Sequence, residues 1–102
     1  MSGRYRLTPE AQRQVDEIGV FIAQDSIDAA LKMYDAFEES FELLAQNPGL
    51  GHVREDLTDK PLKFWSVYSC LVVYDFVSAP LTIVAVLHSA RDVAELLKRI
   101  VP

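Results

Sequence analysis

Cysteine is almost missing from this chain: Cys70 stands alone among 102 residues. No internal disulfide can form, so packing must hold the fold, as in proteins of a reducing cytosol. Histidine is nearly as scarce. His52, His88 and Cys70 show no CxxC or HxxxH spacing, so neither a metal nor any other cofactor is expected. Long apolar runs are missing too, and nothing approaches the roughly 20 residues of a membrane span. The opening MSGRYRLTPE has no apolar signal core. The expectation is a cytoplasmic protein with no membrane contact.

Basic charge is also short. The net charge is −5, and from Thr8 to Asn47 nine acids face only Arg13 and Lys32. Residues 48–102 carry six charges of each sign, and residues 1–7 contribute Arg4 and Arg6. A nucleic-acid binder needs a basic footprint to displace counterions. This chain has no large one.

What is present is apolar material, half the composition, enough for one core and one domain over residues 1–102. The most informative stretch is LTIVAVLHSARD, Leu81 to Asp92. Leu81, Ile83, Ala85 and Leu87 alternate with Thr82, Val84 and Val86, which predicts a strand with apolar residues on both faces, near the middle of a sheet. His88, Ser89, Arg91 and Asp92 then gather just past its end, where rigid scaffolds tend to carry function.

Upstream, Tyr5 to Leu7 predicts a short strand. Thr8-Pro9-Glu10 predicts a helix start, with Thr8 as N-cap, Pro9 in the first turn and Glu10 at the positive dipole end. Ala11, Val15, Ile18 and Ile22 form its buried stripe. Ser26 caps a second helix whose stripe runs Ile27, Ala30, Tyr34, Phe37, Phe41 and Leu44. The short connection at Gln24 to Ser26 makes the two helices antiparallel neighbours, and Pro48 and Gly49 end the second near Asn47. After a loop over residues 47–61 come three predicted strands: Leu62 to Tyr68, Cys70 to Val77 and Leu81 to His88. Asp92 to Ile100 could add one or two helical turns.

The expected fold is therefore α+β, β-αα-βββ-(α), with a two-helix hairpin on one face of a small, mainly antiparallel sheet. Trp65, Val67, Val84 and Val86 do not all fit under one hairpin. The second sheet face should be covered either by the C-terminal segment or by a partner.

Most candidates for chemistry have plainer explanations. Cys70 and His88 lack a third, orienting group, and Cys70 sits in an apolar run, so a buried thiol is expected. Asp35, Glu38, Glu39 and Glu42 read as a solvated helix face, one whose sign favours a basic partner. The glycines of NPGLG follow a helix instead of opening one, which makes them a turn and not a phosphate cradle. For His88 and Arg91 two readings stay open: a surface ion pair with His88 bonded to the backbone, or a contact for an anion or a partner.

Three segments, LTPEAQRQVDEI, LLAQNPGLGHVREDL and VAVLHSARD, together resemble the ParE branch of the ParE/RelE toxin superfamily, in order and spacing over nearly the whole chain. Members are the toxin halves of bacterial type II toxin–antitoxin modules, often termed plasmid stabilisation proteins. The family fold, a helix hairpin on a small antiparallel sheet, agrees with the order read from periodicity. RelE-like members resemble metal-free, ribosome-dependent mRNA interferases that carry lysines and an arginine on the middle strands, an arginine after the last strand and often a C-terminal tyrosine. Here Arg91 matches the last-strand arginine and Lys63 is the nearby lysine. The middle-strand arginine falls at about Leu71 and the C-terminal aromatic near Leu97.

The resemblance therefore implies a ParE-like toxin with no catalytic residues, inhibiting DNA gyrase by binding it. A cognate antitoxin, ParD-like or similar, would neutralise it in a hetero-oligomer and bring any DNA contact indirectly. Its segment would lie along the hairpin groove and the uncovered sheet face, and Trp65, Val84, Val86, His88 and Arg91 are the expected partner-binding residues. The alternatives are a RelE-like interferase using Arg91, His88 and Lys63, and a non-toxic, antitoxin-binding co-repressor.

Overall fold

A computed structural model describes residues 5–88 together with residues 95, 97 and 98. The elements run β1 (Tyr5–Leu7), α1 (Pro9–Ala23), α2 (Ile27–Gln46), β2 (Leu62–Val67), β3 (Cys70–Asp75) and β4 (Leu81–His88). The sheet order is β1-β4-β3-β2. β2, β3 and β4 are antiparallel neighbours, and β1 joins β4 in parallel. The architecture is the expected α+β, with β3 and β4 central.

Both helix starts follow from their caps. The amide of Ala11 donates to Thr8 Oγ1 at 3.1 Å, and that of Ala29 donates to Ser26 Oγ at 3.1 Å. Each bond satisfies one of the amides that a first helical turn leaves without a partner. The helices then close on each other over Gly19. The Tyr34 ring lies where a β-carbon on Gly19 would be, 2.6 Å from two ring carbons, and the Tyr34 hydroxyl donates to Asp16 Oδ1 at 3.1 Å.

Beneath the hairpin lies one core, in which Ala11, Val15, Met33, Phe37, Phe41 and Leu44 meet Val72, Tyr74, Ile83 and Val86 of the sheet. Phe37 and Phe41 stack with ring centroids 5.9 Å apart, and Tyr5 tilts against Phe41 at 5.5 Å. Burying each phenylalanine contributes roughly 1.5–3 kcal/mol. The α2 stripe differs from expectation at its start: Ile27 is 68% exposed, and burial begins at Ala30 and continues through Met33. Ile27 is the first helical residue, beside the connection, where the core has not yet begun.

Strict alternation along β4 also fails. The register with β3 shifts between Val73 and Tyr74, so Val73 faces Ala85, Tyr74 faces Ile83, and Val84 is the extra residue of a bulge. A one-residue insertion inverts the phase of everything after it. Leu81 and Ile83 face the helices, whereas Ala85 and Leu87 belong to the opposite cluster and Val86 sits under the hairpin. Val84 and Val86, expected on one face, are on opposite faces.

The second face is not bare. Leu62, Phe64, Val73, Ala85 and Leu87 are buried there with Leu97, and Leu57, Leu71 and Val84 pack around them. Leu57 and Leu97 thus cover a face that a partner was an open candidate to cover. Trp65 and Val67 lie on the helix side instead. Of the predicted helix over residues 92–100, Glu95, Leu97 and Lys98 are described and helical. β3 stops at Asp75 and not at Val77, because the Asp75 carboxylate accepts from the amides of Val77 and Ser78 and turns the chain.

A hairpin-end groove as candidate functional site

α1 is bonded to the bulged strand. Beyond Leu7 no strand among the described residues flanks β4 on that side, and α1 takes over its edge. Thr8 Oγ1 donates to the Val84 carbonyl at 3.3 Å, and the amide of Val86 donates to Gln14 Oε1 at 2.8 Å. A bulge interrupts the ladder, and these side chains pair groups it frees. The far end is tied by Tyr74, whose hydroxyl accepts from the amide of Gly51 at 2.9 Å and donates to the Pro48 carbonyl at 2.8 Å. The NPGLG turn is therefore a docked loop, and Gly51 leaves room for the tyrosine.

At the other end the hairpin overhangs the sheet and leaves a groove of about 670 Å³. Ile18, Phe21 and Ile22 of α1, Met33 of α2, Tyr68 of the β2–β3 turn and Cys70 at the start of β3 contribute to its walls. His88, at the end of β4 and paired across the sheet with Cys70, closes it. Burial pushes the Cys70 thiol above its usual range, which makes it a poor nucleophile. Phe21 and Tyr68 are 67% and 74% exposed, and Val20, Ile27 and Leu31 are exposed near the same connection. So much apolar surface gathered around one cleft is the usual mark of a docking site.

Tyr68 is held there at a backbone cost. It sits in the two-residue turn between β2 and β3 with φ 53°, a left-handed conformation suited to glycine or asparagine. A bulky residue in that region costs about 1–2 kcal/mol. Such outliers cluster where a side chain must be presented.

The expected partner residues separate in space. His88 lines the groove. Trp65 is half-buried against the helix-side core, Val84 is half-buried on the far face, and Val86 is only 1% exposed. Arg91, with Ser89 and Asp92, lies outside the described residues. Lys63 reaches the Gly51 carbonyl at 3.5 Å and lies over the Phe76 ring at 5.0 Å, across the sheet from Tyr74. Among the described residues no group of three or more His, Cys, Asp or Glu side chains is placed to hold a metal. No helix among them is long and apolar enough to cross a membrane.

Sequence reasoning expected a groove along the hairpin but missed its place at the hairpin end and the roles of Phe21 and Tyr68 in its walls. The one available signal was Phe21, an aromatic residue off the α1 stripe next to the connection.

A family model described as "ParE toxin of type II toxin-antitoxin system, parDE" matches residues 5–93. The chain belongs to the ParE toxin family. The match spans β1 through β4, so the resemblance read from the three motifs holds over all of these elements. No curated protein matches the chain significantly. As a ParE family member it is a toxin of a type II toxin–antitoxin system, a class that implies an antitoxin partner.

Proposed function

We propose that this ParE-family chain is a toxin that inhibits DNA gyrase by binding it, with no bond-making chemistry of its own, and that a ParD-like antitoxin neutralises it in the cytoplasm. The observation that carries the reading is the apolar groove at the hairpin end, rimmed by the exposed rings of Phe21 and Tyr68. A surface of this kind suits an antitoxin segment that folds on binding, burying apolar side chains as it orders. His88 contributes the groove's end wall, with Arg91 as the proposed next contact along the chain. Trp65 serves at the periphery of the groove, Val84 is a separate contact on the far face, and Val86 acts by holding the strand beneath. DNA contact comes only through the antitoxin.

Two further features support binding over catalysis. The position that resembles the interferase arginine is Leu71, packed in the far-face cluster, and the position of their C-terminal aromatic is Leu97, buried in the same cluster.

The test is induction of the chain with and without the short neighbouring reading frame expected to encode the antitoxin. A gyrase inhibitor produces filamentous cells and, mixed with purified gyrase and plasmid, accumulates linear DNA. Co-expression of the neighbour restores growth. Prompt arrest of translation with cleaved ribosome-bound message would overturn the reading, above all if Arg91→Ala abolishes the cleavage.

A further inference from the structure

Lys32 runs against the charge of its surroundings. From Thr8 to Asn47 the chain carries nine acids, and its bases there are Arg13 and Lys32. Arg13 is held between Glu10 and Glu17. Lys32 forms no ion pair among the described residues, although Asp28 stands one turn earlier on the same helix. It is exposed, and it lines the hairpin-end groove. Apart from Lys32, Ser69 and His88, the lining is apolar or aromatic. The volume of about 670 Å³ lies within the roughly 300–1,000 Å³ of small-molecule pockets. An extended peptide would bury its N–H and C=O groups unpaired against such walls, whereas a polymethylene tail has none to bury.

We infer that the groove binds a medium-chain fatty acid, its carboxylate on the Lys32 ammonium and its tail among Phe21, Ile22, Met33 and Tyr68. The tail supplies the affinity, because burial of each methylene is favourable. The exposed ion pair adds little by itself and acts by selecting the head group. The hairpin acids oppose an anion at long range, but beyond about 8 Å that repulsion is screened at physiological salt. The inference does not rest on the toxin reading. Where the antitoxin does use the groove, the two ligands compete for the same walls.

The test titrates the full chain with octanoate, decanoate, dodecanoate and decanol at about 150 mM salt. Methyl resonances of Ile18, Ile22 and Met33 report affinity and location together. The expected result is that the carboxylates shift these methyls. Affinity should rise at least fivefold, roughly, for each two methylenes added, since one fully buried methylene is worth about fourfold. Lys32→Gln should weaken decanoate by about three- to fivefold and leave decanol unchanged, a difference that a general loss of fold would not produce. Phe21→Ser, at a position 67% exposed, should weaken decanoate and decanol alike. Val77→Ser, 70% exposed in the β3–β4 turn, should alter neither. Three results would overturn the inference: no binding of dodecanoate at about 1 mM, shifts confined to methyls outside the groove, or decanoate binding as tightly to Lys32→Gln as to the natural chain. Toxicity and its rescue by the neighbouring frame are scored separately, so either reading can fail while the other stands.

Discussion

The two ends of the helical hairpin are built for different purposes. At the end near Asn47 the core is aromatic and closed. Phe37 and Phe41 stack, Tyr5 seals their flank, and Tyr74 ties down the loop that leaves α2. At the end near Gln24 the same helices overhang an apolar groove, expose Phe21 and Ile27, and face a turn in which a tyrosine occupies a glycine-like conformation. Stability is concentrated at one end and presentation at the other. The general point is that exposed apolar surface is informative when a strained backbone points at it.

That contrast can be broken by mutation, starting where the effect should be largest. Phe37→Ala at the closed end should cost about 3–5 kcal/mol in urea unfolding, because a fully buried ring leaves a cavity. A loss of less than about 1 kcal/mol would mean the aromatic end is not where stability resides. Tyr74→Phe should cost roughly 1–3 kcal/mol, since the Gly51 amide and Pro48 carbonyl each lose their partner. The same variant should speed hydrogen exchange at Gly51 without altering the groove.

In the middle of the hairpin, Gly19→Ala should stabilise a Tyr34→Ala background by about 1 kcal/mol through helix propensity. In the natural background that gain should vanish, because the ring resting on Gly19 and its bond to Asp16 must shift. Thermal melts of the four proteins give the coupling directly. At the open end the stability effect should be smallest and of opposite sign. Tyr68→Gly relieves the left-handed strain and should raise stability by up to about 1 kcal/mol, while Tyr68→Gly and Phe21→Asp each weaken antitoxin binding at least tenfold. If Tyr68→Gly leaves binding intact, the turn is strained for some other reason and the contrast between the ends fails.

Much of this architecture was legible in the chain. Thr8, Pro9 and Ser26 announce both helix starts because capping is local chemistry between residues three apart. Pro48 stops α2 for an equally local reason, and the apolar runs read at residues 62–68, 70–77 and 81–88 mark three strands, which the structure places at 62–67, 70–75 and 81–88. The candidate site was less visible. His88 was found because it ends a strand. Phe21 and Tyr68 were not, since their importance depends on an overhang that has no signature along the sequence.

The order of elements, the caps, the acidic hairpin and the family motifs were all determined by the sequence alone, because each depends on neighbours a few residues apart or on composition. Only the tertiary structure decided which way the end of β4 faces. The bulge at Val84 inverts its phase, and Thr8 and Gln14, more than 70 positions away, pair the backbone groups there. The tertiary structure also decided that the second sheet face is covered by Leu57 and Leu97. Both outcomes rest on contacts between distant parts of the chain, and periodicity carries no information about those.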